Sequence, residues 1–403
     1  MKKQNLLTIL LLFLSAAAGC VYAQLPSTRV YDGAKLAKVK ARQQAEAYAP
    51  AIARLMKEAD KALKQQPVSV MDKEIVAASG DKHDYLSMGP YWWPDPSKPD
   101  GLPYIRKDGV RNPNATSDRS NLGKTIKNIQ TLGIAYYFSG REPYAAKAAE
   151  LVRVWFINPE TRMNPNMNYA QMIPGHNGGK GRGFGMIDVY PFIEMLDAVE
   201  LMNSSAAFTE ADRKGLKTWF GEFMEWIRTS PTANEERTAK NNHGLAFDVQ
   251  TTVYALFTGD SQLARKLVNE FAGKRLYPQI EPDGKQPLEL ARTTGFGYTN
   301  FNLVHMMDMC AICKTLGVDL YPSTSPDGRS IAKALAYMAS FVGKPLSDFP
   351  YQQIKNWDGE QQRSCWILRR ASFYDAAAGW DDLSSRHMKS DPTDRNHLLY
   401  SRE

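Results

Sequence analysis

The sequence predicts an all-α protein, and three observations predict it. Apolar residues recur at three-and-four spacing in many separate runs. Several runs stop at a glycine, namely Gly140, Gly259, Gly273 and Gly317. Alternating Val, Ile, Thr and Tyr runs joined by tight turns are nearly absent. Taken in order, the helical pattern covers residues 36–63, 122–138, 144–157, 187–202, 211–227, 243–257, 261–271, 301–316 and 331–341. The first run is dense in Ala, Leu, Lys, Gln and Glu, which lose little freedom in a helix. The run at 211–227 opens behind Thr209, with Glu210 and Asp212 near its start, the acidic first turn that a helix dipole favours. Two long connections interrupt the series: 80–121 is aromatic and proline-rich, and 158–185 is rich in Asn and Gly. Long ordered loops in a compact domain usually carry function. Short helices paired as hairpins, with such loops on one side, suggest a toroid around a central cleft. A superhelical stack of helix pairs is the alternative, and the missing residue-level repeat argues against it. No linker divides the chain, and 322–328 reads as a surface loop. The tail beyond Asp381 is polar and is expected to be loosely held.

The N-terminus reads as an export signal over residues 1–23, followed by a single domain over 24–403. Lys2 and Lys3 form a basic end, residues 6–18 an apolar stretch, and Val21-Tyr22-Ala23 a small-residue cleavage site. The apolar stretch is too short to span a membrane. Ala17-Ala18-Gly19-Cys20 also fits a lipoprotein signal, with a lipid anchor on Cys20 as the second option. Both options place the mature protein outside the cytoplasm, periplasmic or secreted in the first case and anchored to the outer membrane in the second.

The chain has 403 residues, 43% of them hydrophobic, which allows a large core and argues against disorder. Its formal charge of +7 attracts anions without naming them. No dense basic run or nucleic-acid module is present, so an acidic polysaccharide is the better partner. Cys310 and Cys313 form a C-x-x-C inside an apolar helical run, where a redox motif would want a preceding strand and a zinc site two further ligands. They read as small buried residues. Asp95, Asp100 and Asp108 are scattered without calcium-loop spacing, and H-E-x-x-H and G-x-S-x-G are absent. No metal and no cofactor is expected.

The chemistry concentrates in two short segments. Lys240-Asn241-Asn242-His243-Gly244 sets an amide beside an imidazole, and Glu289-Leu290-Ala291-Arg292 sets a guanidinium six residues before the phenol of Tyr298. Each group alone has a structural explanation: an Asn helix cap, a buried His, an Arg paired with Glu289, a packed Tyr. Together they answer the needs of one reaction. The C5 proton of a uronate is a poor acid while its carboxylate carries full charge. Asn242, His243 and Arg292 are suited to neutralise that charge and stabilise the enolate-like state. Tyr298 can take a proton and return one to the departing O4 if nearby cations pull its pKa below about 10. One tyrosine suffices for mannuronate, whose proton and O4 share a side. Guluronate needs a second group, and His243 is the natural base. Around this centre, Tyr91, Trp92 and Trp93 offer flat faces for sugar stacking. His176, Lys180, Arg182 and Asn241 are further candidate substrate contacts, with glycines at 181 and 183 expected to let the backbone approach a ligand.

Three segments also carry a resemblance: His83-Asp84-Tyr85-Leu86-Ser87-Met88-Gly89-Pro90-Tyr91-Trp92-Trp93-Pro94, then Asn241-Asn242-His243, then Pro282-Asp283-Gly284-Lys285-Gln286-Pro287-Leu288-Glu289-Leu290-Ala291-Arg292-Thr293 running on to Tyr298. With these the chain resembles the alginate lyase superfamily of polysaccharide lyases over roughly residues 85–316, above all lyases of Bacteroidetes, whose group includes glucuronan lyases. The resemblance implies an incomplete (α/α) toroid, a barrel of about six to seven helical hairpins. It also implies metal-free β-elimination on alginate. Asn242 and Arg292 would neutralise the carboxylate, and His243 and Tyr298 would be the acid/base pair. The chain departs from the best-known bacterial members after His243, where Gly244-Leu245-Ala246 replaces an early aromatic, leaving the preferred uronate open. The alternatives are a glucuronan lyase, a non-catalytic glycan-binding lipoprotein, and an inverting glycoside hydrolase on the same plan. The hydrolase would draw two carboxylates from Asp188, Glu194, Asp248 and Glu289.

Overall fold

A computed structural model describes residues 25–115 and 118–403. The export signal read in 1–23 and Cys20 lie outside the described residues. The fold is mostly helical. Its longer helices are α1 (Gly33–Ala41), α2 (Ala49–Leu63), α3 (Asp118–Ser139), α4 (Glu142–Val152), α5 (Phe192–Glu200), α6 (Glu210–Thr229), α7 (Pro231–Thr238), α8 (Asn242–Thr258) and α9 (Ser261–Phe271). After the short turns α10 (Tyr277–Gln279) and α11 (Pro287–Leu290) come α12 (Gly295–Thr315), α13 (Ile331–Ala339), α14 (Trp357–Ala371), α15 (Trp380–His387) and the single turn α16 (Asn396–Leu399).

The helices form two concentric layers of an incomplete toroid. In the inner layer α3 packs on α5, α5 on α8, α8 on α12 and α12 on α14. Outer helices cover them, with α4 and α2 on α3, α6 and α9 on α8, α13 on α12 and α15 on α14. Sequence composition separates the layers. Residues 244–255 of α8 are all buried, because that helix has neighbours on every side. In α9 only Ala264, Leu267, Val268 and Phe271 are buried, one stripe at helical spacing facing inward.

Local signals set the helix ends. Thr209 and Asp212 form a reciprocal capping box at the start of α6. Ser230 caps α7 ahead of Pro231, and Gly259 ends α8 in the left-handed region at φ 96°. Gly140 and Gly317 also adopt positive φ, whereas Gly273 lies inside a wide helical turn over Ala272–Leu276 and stops nothing.

Three expectations need correction. The run at 36–63 is two helices, because Pro50 sits in the first turn of α2, where its missing N–H costs nothing, and not in a helix interior. Helices α7, α14 and α15 carry no clean apolar stripe and are absent from the predicted series. The tail beyond Asp381 is docked: Leu398 and Leu399 are buried, the Ser401 and Tyr48 hydroxyls lie 2.7 Å apart, and Lys35 Nζ donates to the Ser401 carbonyl at 2.9 Å. Arg395 Nη2 ties the same tail to Glu58 at 2.8 Å and to Thr131 at 3.0 Å.

The two long loops order one another at one end of the toroid. Strand β1 (Leu86–Met88) pairs in parallel with β4 (Tyr169–Met172), and β2 (Trp92–Trp93) pairs antiparallel with β3 (Ile105–Arg106). Asp188 staples them from below. It accepts from Ser87 Oγ at 2.6 Å, Tyr85 Oη at 3.2 Å and Gln171 Nε2 at 3.1 Å, and Arg119 lies 3.3 Å away. No described helix is long and apolar enough to cross a membrane. Cys310, Cys313 and Cys365 are free and buried, and burial pushes the Cys313 thiol up to about 12, which suits packing residues.

Candidate active site

The loop-to-helix junction before α8 builds one wall. Asn241 caps the helix, its side-chain oxygen accepting from His243 N at 3.3 Å, so the residue read as a substrate contact first serves the backbone. A Cβ at position 244 would overlap the Ala239 carbonyl, so Gly244 is what allows the preceding loop to fold against the helix. Asn242, the first helical residue, is fully buried. Its backbone N–H and its side-chain Nδ2 both donate to the Glu289 carboxylate at 2.7 Å. Glu289 is buried too, and burial pushes its carboxyl above the usual carboxylate range.

His243 turns its ring toward α7, where Nδ1 lies 2.8 Å from Glu236 Oε1. Glu236 is fully buried, which raises its carboxyl, while His243 opposes that rise. An ionised Glu236 accepts the Nδ1 proton, fixing the tautomer that leaves a lone pair on Nε2. Phe184, exposed to solvent, packs ring to ring on His243 with centroids 4.6 Å apart. The Arg182 guanidinium lies over the Phe184 ring, 5.5 Å from its centroid, and donates from Nη2 to Gln171 Oε1 at 2.7 Å. We expect Glu236→Gln to lower kcat on the order of 10- to 100-fold. Steady-state kinetics of the two proteins check it.

Arg292 and Tyr298 form the opposite wall. The guanidinium covers the phenol ring at 3.8 Å from its centroid, and Nη2 donates to Tyr298 Oη at 2.7 Å. Tyr298 Oη in turn donates to Tyr91 Oη at 3.3 Å. Asp108 reaches in from the first long loop and accepts from Arg292 Nε at 3.0 Å and Nη2 at 2.6 Å. Burial opposes its charge, yet Arg292 holds the Asp108 carboxyl well below the usual carboxylate range. The expected depression of the phenol is overturned. Burial and the neighbouring Tyr91 raise Tyr298 well above its ordinary value, and Arg292 only partly offsets them. Burial outweighs the guanidinium, and the Asp108 carboxylate beside Arg292 adds a smaller push in the same upward direction. Glu289 feels the charge of both His243 and Arg292, so the two walls converge on it.

The remaining predicted contacts sit farther out. Tyr91 reaches the centre through Tyr298. Trp92 lies edge-on to His176 at 5.2 Å, and Trp93 donates from Nε1 to the Val110 carbonyl at 3.0 Å beneath Lys107. His176 Nε2 lies 2.9 Å from the Tyr104 carbonyl oxygen, and Lys180 is exposed, its backbone N–H donating to the Asn177 carbonyl at 3.1 Å. The glycines here serve the chain itself. A Cβ on Gly181 would overlap the Ala170 backbone, and one on Gly183 would come within 2.5 Å of the Thr232 carbonyl. They let the loop lie against β4 and α7.

Three of the four carboxylates available to a hydrolase are spoken for. Asp188 staples the loops, Asp248 accepts from Arg275 Nε at 2.7 Å, and Glu289 holds Asn242. Glu194 is pushed up to about 7 by burial and by Asp308. Sequence reasoning missed Glu236, Asp108 and Phe184 as site residues. Glu236 stands seven residues before His243, a spacing that signals nothing until the α7–α8 turn is known.

The alginate lyase family profile matches residues 69–347, more than half of the chain. The chain belongs to the alginate lyase family. It is thus a polysaccharide lyase, and its toroid is the fold of that family. It is similar to an alginate lyase from Bacteroides ovatus, with 59% identity over 94% of this chain and 100% of that one, at a TM-score of 0.93. Alginate lyase A1-III from Sphingomonas species A1 shares the fold at 15% identity and a TM-score of 0.55, over 87% of this chain and 95% of that one. A Tyr-to-Phe variant of A1-III in complex with a tetrasaccharide matches at a TM-score of 0.57 with 14% identity, over 94% and 98% of the two chains. No curated protein matches the chain.

Proposed function

We propose that this lyase is exported and cleaves alginate, the mannuronate and guluronate polymer, by β-elimination. The observation that carries the reading is Tyr298 Oη, held 2.7 Å from a guanidinium nitrogen whose neighbour Nη1 has no partner among the described residues. A uronate carboxylate on Nη1 would bring its C5 and O4 within reach of the phenol. The Bacteroides ovatus alginate lyase, 59% identical, supports alginate as the polymer. The basic and apolar segments of residues 1–23 support export.

In the proposed turnover Arg292 and Asn242 hold the carboxylate and stabilise the enolate-like state as the C5 proton leaves. His243, with Nδ1 on Glu236, accepts that proton at Nε2. Tyr298 enters as a phenol and donates its proton to the departing O4. The division of labour rests on the burial that keeps Tyr298 protonated. A tyrosine acting as both base and acid would first have to ionise against that burial. Phe184 beside His243, and Tyr91 beside Tyr298, offer flat faces to the sugar rings that flank the cleaved bond.

Polymannuronate, polyguluronate and glucuronan, each offered separately to the purified protein, test the substrate. An ultraviolet rise from unsaturated ends should be fastest on an alginate block, with polyguluronate ahead if His243 and Tyr298 act as base and acid. Glucuronan ahead of both would replace the substrate while leaving the chemistry standing.

A further inference from the structure

We propose that Glu289 is a positioning residue that sets which end of the Asn242 amide faces the substrate, and that it takes up a proton when a uronate carboxylate binds. The inference rests on the β-elimination reading and deepens it.

The geometry begins with a mismatch. Glu289 accepts twice from Asn242, at 2.7 Å from the backbone N–H and 2.7 Å from Nδ2. An ionised carboxylate has no hydrogen to give, so it can face only the NH2 end of the amide. The other end, Oδ1, is then left buried without any partner among the described residues. Buried acceptors are rarely left unpaired, and one that is calls for an explanation. Asn242 precedes His243 in sequence, and the carboxylate that holds its amide feels the charge of both His243 and Arg292. On the β-elimination reading the end turned away from Glu289 meets the uronate carboxylate, and that end is an oxygen. Oxygen against carboxylate is repulsive, so the resting arrangement cannot do the work assigned to Asn242.

One proton resolves the conflict. It comes from solvent and adds to Glu289 Oε2, with no other bond made or broken. The new O–H donates to Asn242 Oδ1 after the amide turns over, while Oε1 keeps the backbone N–H of Asn242. The NH2 now faces the site and donates to the uronate carboxylate. Every buried polar atom in the group is paired, including the one that is orphaned at rest. Burial of Glu289 favours the protonated form, in the direction the proposal needs. Nothing comparable is available to Glu236, whose partner His243 is itself a donor.

Glu289→Gln separates this from a packing role. The glutamine oxygen can accept from the Asn242 backbone, and its NH2 can donate to Asn242 Oδ1, which fixes the amide in the turned orientation without a proton. In the unsubstituted enzyme KM should rise by up to about tenfold per pH unit once Glu289 ionises, because binding then requires proton uptake. In Glu289→Gln that slope should vanish, and KM at alkaline pH should fall below that of the unsubstituted enzyme. A residue that merely packs would show an equal loss at every pH.

A second measurement does not depend on the kinetics of this variant. Tyr298→Phe is titrated calorimetrically at pH 8 with a tetrasaccharide of the uronate that the unsubstituted enzyme cleaves fastest, in two buffers of different ionisation enthalpy. Uptake of close to one proton, absent when Glu289→Gln is added, is the expected result. Binding with no proton uptake, or with uptake unchanged by Glu289→Gln, overturns the proposal while the elimination reading stands. If the tetrasaccharide fails to bind and the unsubstituted enzyme forms no unsaturated product, the alginate reading fails and this proposal falls with it.

Discussion

Tyr298→Phe should lower kcat on alginate by 10² to 10⁴, on the order expected for loss of a positioned acid–base group. KM should change little. The substitution removes one oxygen and nothing else, and the ring stays under the Arg292 guanidinium, 3.8 Å from its centroid. It deletes the hydroxyl that Arg292 donates to at 2.7 Å and that itself donates to Tyr91 at 3.3 Å. Arg292 keeps both of its bonds to Asp108, so folding is spared. The departing O4 then leaves without a proton, as an alkoxide, which is the state that general acid catalysis exists to avoid. Steady-state kinetics with an unchanged thermal midpoint would check the prediction. A variant within threefold of the parent in kcat would remove Tyr298 from the chemistry.

The second large effect concerns the fold. Asp197→Ala should destabilise the protein by about 3 to 5 kcal/mol. Asp197 is fully buried on α5 and accepts three backbone N–H groups from the N-terminal segment: Arg29 and Val30 at 2.7 Å and Tyr31 at 2.8 Å. Val30 and Tyr31 are themselves buried against the core, so water cannot replace the lost acceptor. Alanine leaves all three donors unsatisfied. Asn at this position keeps one oxygen and should cost distinctly less. Urea unfolding followed by circular dichroism measures both, and a drop in midpoint without a change in slope would identify a loss of stability alone.

Much of the toroid was legible because several of its helices carry strong local signals. Thr209 with Asp212 marks a start, and Gly259 with a positive φ marks an end. The docked tail was not, because Leu398 and Leu399 are a lone apolar pair whose burial depends on α1 and α2. At the site, the pairing of Arg292 with Tyr298 was readable: six residues apart, they meet at the start of α12. Asp108 was not, because it lies 184 residues before its partner and looks in sequence like one more loop carboxylate. The direction of the Tyr298 shift was not legible either, because it is set first by burial and then by Tyr91, which reaches the phenol from the first long loop. For Lys180 and Trp93 residue type alone suggested substrate contact, and no hydrogen bond among the described residues ties either side chain to Asn242, His243, Arg292 or Tyr298.

The central claim is that this enzyme breaks a uronate chain by removing the C5 proton. Its most direct test counts two things in one digest of alginate: new reducing ends and new ultraviolet-absorbing unsaturated ends. The account predicts that they appear together in equal numbers from the first minutes. Reducing ends that accumulate without absorbance would mean hydrolysis, and would contradict it.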